Sequence, residues 1–169
     1  PVSFDLEGVA RTRVDFVVNG QANGVVHDRA TASRGGCAST GHWGVNDRFP
    51  VEGPSPGAIV MAPGTDTDSL VARLEHGLHI HRLHYVNGLL NPSIARMTGL
   101  TRDGLFEIRE GKVHRAVRDL RFTENILEAF ERIEGISDTL GSVAGFWLDS
   151  GGAYQAPSLL IRDFHFTGT

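Results

Sequence analysis

The stretch that decides the fold is Gly104-Leu105-Phe106-Glu107-Ile108-Arg109-Glu110-Gly111-Lys112-Val113-His114-Arg115-Ala116-Val117. Two runs that mix apolar, β-branched and charged residues flank Glu110-Gly111, and a turn of that kind joins antiparallel strands. Strand 104–109 would return as 112–117, with Phe106, Ile108, Val113 and Val117 facing the core. The same pattern recurs upstream. Val14–Val18 is a β-branched and aromatic run, Asn19-Gly20 supplies the positive φ angles of a hairpin turn, and Val25-Val26-His27 is the expected partner strand.

Between and beyond the hairpins the chain reads as short elements. Asp28 would cap a short helix over Arg29–Arg34, stopped by Gly35-Gly36. Cys37 to Pro56, rich in glycine and proline, reads as a long surface loop. Ala58–Ala62 is a short apolar strand. Thr67 or Asp68 would cap a helix with Leu70, Val71 and Leu74 on one face and Gly77 at its end. Leu78–Val86 is extended, and Asn87–Pro92 reads as a turn. Thr123 is the expected cap of a helix bearing Ile126, Leu127, Phe130 and Ile133. Ser142–Leu148 and Ser158–Phe166 are the last strand candidates. No fixed-period repeat or strand–helix alternation occurs, so the reading is α+β: a predominantly antiparallel β-sheet domain of hairpins with two inserted helices.

Composition narrows the function. The 169 residues fit one domain, 1–169, and the 21 glycines imply many tight turns. A net charge of −4 argues against a nucleic-acid partner. No apolar run approaches the roughly 20 residues of a membrane helix. Cys37 is the sole cysteine, which excludes an internal disulfide and fits a reducing, cytoplasmic compartment. The opening Pro1-Val2-Ser3, with no methionine, gives the expectation that the chain is cut from something longer.

Few residues combine into chemistry. His79 and His81 stand two apart on a strand and would share a face on which both could reach one metal ion, with His84 on the other. Zinc needs three or four convergent ligands, so a histidine-rich solvent face is the competing reading. Cys37 and His42, five apart, would make a thiol–imidazole pair only if the fold brought them together; Cys37-Ala38-Ser39-Thr40-Gly41 does not fit a nucleophile elbow. No phosphate loop and no H-E-x-x-H is present. Glu107 with Glu110, and Glu131 with Glu134, look like solvated faces beside arginine.

Several segments, in order, resemble the C-terminal domain of the TldD/PmbA (TldE) metallopeptidase family, the modulator-of-DNA-gyrase family. They are Phe4-Asp5-Leu6-Glu7-Gly8-Val9, Val17-Val18-Asn19-Gly20, Val26-His27-Asp28-Arg29 and Ser39-Thr40-Gly41-His42. Thr98-Gly99-Leu100, Asp103 to Ile108, Glu110 to Val113, Arg121-Phe122-Thr123-Glu124 and Phe166-Thr167-Gly168 continue the series. The resemblance implies a zinc-dependent peptidase system acting on small or unfolded peptides, built as a dimer with a TldD-like or identical subunit around an enclosed chamber. It implies an H-E-x-x-x-H helix and a late cysteine as zinc ligands in one subunit. The helix motif is absent from these residues, and Asp149-Ser150-Gly151-Gly152 stands where the cysteine would fall. The implied role is therefore shell and peptide-binding wall, with Thr40, Gly41 and His42 as the peptide-binding loop, no catalytic residue here, and zinc in the partner subunit or an upstream region. An autonomous metal-binding module using His79 and His81, and a purely structural dimerisation domain, are the alternatives.

Overall fold

A computed structural model describes residues 2–46, 51–142 and 153–168. They form two compact units, one from residues 2–60 and 153–154, the other from 61–142 and 155–168.

The first unit begins with a turn closed by Asp5 and a bridge from Phe4 to Ala10. β1 (Val17–Val18) and β2 (Gln21–Ala22) follow, joined by Asn19 at φ 50° and Gly20 at φ 77°. The expected turn is present, but the partner strand is 21–22 rather than 25–27. A two-residue turn pairs the residues directly after it, Val18 with Gln21 and Val17 with Ala22. α1 (Arg29–Gly35) is capped as expected. Asp28 accepts from the Thr31 amide at 2.6 Å, Thr31 Oγ1 accepts from the Asp28 amide at 3.1 Å, and Gly36 at φ 66° ends the helix. The stretch expected to be one long loop instead contains β3 (Trp43–Asn46) and β4 (Val51–Pro54), paired from Trp43–Pro54 to Asn46–Val51. Glycine and proline concealed the strands because pairing supplies the order that local propensity lacks. β5 (Ala58–Val60) falls where a short strand was expected.

In the second unit, Leu70–Arg73 is a single 3-10 turn rather than an α-helix. Ser69, not Thr67 or Asp68, stands at its N-cap and makes no side-chain capping bond, so nothing stabilises a longer helix there. β6 (His76–Asn91) and β7 (Arg96–Arg109) form a long antiparallel pair. β6 runs through the Asn87–Pro92 stretch expected to turn, and the reversal comes at Pro92–Ile94 with Ala95 at φ 48°. β8 (Lys112–Ala116) completes the hairpin through Glu110 at φ 48° and Gly111 at φ 72°. Ile108 is fully buried, as expected, whereas Val113 is 57% exposed because every residue of β8 lies on the surface.

β9 (Arg121–Asn125) pairs the opposite half of the same edge of β7, so β8 and β9 are two halves of one interrupted strand. α2 (Ile126–Glu131) starts later than expected. Asn125, not Thr123, caps it, accepting from the Leu127 and Glu128 amides. Thr123 belongs to β9 and its hydroxyl reaches Thr98 Oγ1 at 3.3 Å. Ala129 is therefore the buried residue of α2; Leu127 and Phe130 are exposed and Ile133 opens the next strand. β10 (Ile133–Ser142) pairs β11 (Ala153–Ile161), and β12 (Phe166–Gly168) pairs β9. Of the two late strand candidates, 142–148 lies almost wholly outside the described residues, and 158–166 divides between β11 and β12. The sheet order β12-β9-β7-β6, with β8 also on β7, leaves β6 at an edge. Phe122, Leu105, Ile108 and Thr101 are its deepest side chains. The architecture is thus mostly antiparallel β with two helices.

Candidate functional site

The loop Ser39-Thr40-Gly41-His42 is held to the N-terminal turn by a dense set of bonds. Thr40 Oγ1 accepts from the His27 amide at 2.7 Å and donates to the His27 carbonyl at 3.0 Å. The Thr12 amide donates to the Thr40 carbonyl at 3.1 Å, and the Ser55 amide to the His42 carbonyl at 2.7 Å. Gly41 has φ 72°, and a Cβ there would lie 2.8 Å from the Val9 carbonyl oxygen. Only glycine accepts both that backbone conformation and that approach. Thr40 Oγ1 also meets the His42 ring at Nδ1, 3.0 Å away. Burial, with the Arg11 cation nearby, holds His42 below its ordinary 6.5, against opposing effects from Thr40 and Asp5.

Beneath the loop lies Asp5, 2% exposed. It accepts from the Glu7 amide at 3.0 Å and the Val9 amide at 2.9 Å through Oδ1, and from the Trp43 amide at 2.9 Å through Oδ2. Burial would raise its pKa, but the three backbone donors and Arg11 outweigh it and hold Asp5 below the usual carboxylate value. The Phe4-Asp5 segment is thus the anchor of the loop, a role its sequence did not reveal because the Trp43 donor lies 38 residues away.

The other expected residues are separate. Cys37 is exposed, and its Sγ faces the Ala32 carbonyl at 3.8 Å, at the end of α1. The His42 ring is engaged by Thr40. His79 and His81 are exposed on β6 and His84 is half-buried, the alternation a strand imposes. The His79 ring lies 6.3 Å from that of Phe106, its partner across the sheet. His81 faces a bulge at Asp103, φ 62°, and Gly104, φ 135°, where a Cβ on Gly104 would sit 3.5 Å from that of His81. Among the described residues no three His, Cys, Asp or Glu side chains gather as a metal ion would require. The residues at hand therefore do not fit a complete zinc site, and residues 149–152 lie outside those described.

Glu107 is not a free carboxylate: it accepts from Arg115 at 2.5 Å and Arg109 at 2.7 Å, and those two bonds keep its pKa low. Sequence reading missed Glu124, a 3% exposed carboxylate on β9. It meets Arg132 Nη2 at 2.8 Å, the His165 amide at 3.0 Å and the Asn125 amide at 2.9 Å. Only the Arg121-Phe122-Thr123-Glu124 segment hinted at it, because the His165 partner lies 41 residues away and Arg132 beyond α2.

No described helix is long and apolar enough to cross a membrane. The profile of the PmbA/TldA metallopeptidase C-terminal domain matches residues 1–168. A metalloprotease of Synechocystis is 25% identical over 172 residues, covering 95% of this chain and 35% of that protein. The crystal structure of TldE from Thermococcus kodakarensis superposes with a TM-score of 0.81 at 19% identity, over 99% of this chain and 36% of that one. A Thermotoga maritima protein solved as a candidate modulator of a DNA gyrase gives a TM-score of 0.74 at 21% identity, over 95% and 34%. The chain spans about a third of the length of these relatives. With nearly every residue matched to that profile, the chain belongs to the PmbA/TldA metallopeptidase C-terminal domain family.

Proposed function

We propose that this chain forms shell and peptide-binding wall in a TldD/PmbA-like zinc metallopeptidase system of the cytoplasm. A TldD-like or identical subunit is its partner, and the metal is held outside the described residues. The observation that carries the reading is the edge strand β6, whose His76–Leu83 half has β7 along one side and no strand along the other among the described residues. An open edge offers a row of main-chain donors and acceptors to an extended peptide, and binds it with little regard for its side chains. That suits a wall receiving varied or unfolded peptides. The Thr40–Gly41–His42 loop is the second surface assigned to peptide, its conformation fixed in advance by Thr40 and Gly41.

The experiment places a photo-reactive phenylalanine analogue at His81 or Leu83 of the full-length protein, with Leu127 on α2 as the exposed control. Illumination with an unfolded peptide is expected to label β6 well above the α2 control. Equal labelling at the two elements would remove the basis for the wall reading.

A further inference from the structure

We propose that Arg11 is a carboxylate-receiving site, its guanidinium set between the Thr40–His42 loop and Gly57 to take a carboxylate carried by a bound peptide. The proposal rests on the peptide-binding reading above and adds the chemical group that the loop recognises.

Three segments meet at this arginine. On one side the Thr12 amide and the Val9 and Ala10 carbonyls lie against Thr40 and Gly41. On another, the Ser55 amide bonds the His42 carbonyl at 2.7 Å and brings Gly57 close. The Arg11 guanidinium carbon lies 3.0 Å from where a Cβ on Gly57 would be. Position 57 must therefore lack a side chain for Arg11 to rest there. The tip of Arg11 thus packs against the bare backbone of Gly57.

Arg13, Arg73, Arg82, Arg102, Arg109, Arg115, Arg132 and Arg162 each pair with a carboxylate, whereas Arg11, like Arg29, Arg34, Arg96, Arg118 and Arg121, makes no ion pair among the described residues. The Arg11 Nε is buried without an acceptor. A buried charged donor left unmatched is unfavourable, and is a feature that calls for an explanation. Asp5, the acid nearest in effect, already accepts from the Glu7, Val9 and Trp43 amides and makes no ion pair with Arg11 among the described residues. What remains is the guanidinium itself, whose paired N–H groups match the two oxygens of a carboxylate. His42 beside it is biased toward its neutral form, which leaves Arg11 as the cation of the site, facing the Asp5 carboxylate.

The carboxylate can be the C-terminus of a peptide or an acidic side chain, and the test separates them. Three labelled peptides of one Ala/Ser/Gly sequence are titrated by fluorescence anisotropy into the full-length protein: the free acid, the C-terminal amide, and the amide carrying one internal glutamate. The free acid is expected to bind about tenfold more tightly than the plain amide, the scale of a charge-assisted bidentate contact. Tight binding of the glutamate amide as well assigns a general carboxylate site; binding of the free acid alone assigns a terminus site. Arg11→Gln is expected to erase the preference and Arg11→Lys to keep part of it, with thermal midpoints checking that both variants fold. Equal affinities in the native protein, or a preference surviving Arg11→Gln, would overturn the proposal. A parallel titration with N-acetylglycine, read by NMR at the His42 ring, separates the two claims. An Arg11-dependent shift without peptide binding keeps the site and removes the peptide reading. Peptide binding without preference or shift does the reverse.

Discussion

Glu124 keeps its charge where burial opposes ionisation. It is 3% exposed, and desolvation alone would raise its pKa. The His165 amide, the Arg132 guanidinium and the Asn125 amide reverse that tendency and hold it below 4.5. Arg132 also donates to the Asp163 carbonyl at 2.5 Å and the Glu128 carbonyl at 3.2 Å, so one ion pair ties β9, α2 and the approach to β12. Since the folded pKa lies below the ordinary one, this stabilisation is complete above that ordinary value. It is lost as pH falls through the depressed folded value. Glu124→Gln is expected to cost about 3 kcal/mol at neutral pH, because it leaves the half-buried Arg132 without its counter-charge. Urea unfolding at pH 7 and at pH 3 measures this, and the difference between native and variant should shrink at the lower pH. A constant difference would mean that packing, not charge, is what Glu124 contributes.

Among the elements, the interrupted strand β8–β9 depends on a single hydroxyl. Thr101, 1% exposed on β7, accepts from the Leu120 amide at 2.9 Å and donates to Asp119 Oδ1 at 3.0 Å. Its own amide donates to the Leu120 carbonyl at 2.9 Å. With the Val117 amide donating to the Leu105 carbonyl at 2.9 Å, these bonds carry the chain from β8 to β9 along β7. Thr101→Val keeps the shape but leaves the Leu120 amide unmatched, and is expected to cost about 1–3 kcal/mol. Hydrogen exchange should show the Leu120 amide losing protection while the Ile108 region keeps its own. Uniform loss would instead indicate a general weakening. The elements also show where local reading ran out. Glu110-Gly111 and Asn19-Gly20 were legible because each turn needs positive φ within two residues. The partner of β1, the β3–β4 hairpin and the run of β6 through Asn87 depend on pairing, which no local window contains. Thr123 was a plausible cap until the Thr98 hydroxyl and the His165 carbonyl drew it into the sheet.

For the molecule as a whole, the chain belongs to a metallopeptidase domain family, while His79 and His81 stand exposed without a third converging donor among the described residues. Two imidazoles on one strand bind zinc weakly, since a stable site needs three or four ligands. The purified chain is expected to carry far less than one equivalent of zinc by elemental analysis, with no change in His81→Ala. Stoichiometric zinc lost in that variant would instead establish the metal-binding alternative. Turn chemistry, the α1 cap and the ordered family segments were settled by the sequence itself, because each is a short-range property of neighbouring residues. Thr40, Gly41 and His42 could be singled out from the chain. That Thr40 clasps His27, that three backbone amides bond Asp5, and that Arg11 rests against Gly57 with no ion pair among the described residues were decided only by tertiary structure. Burial and hydrogen-bond satisfaction are set by groups far apart in sequence, and they exist only once those groups meet.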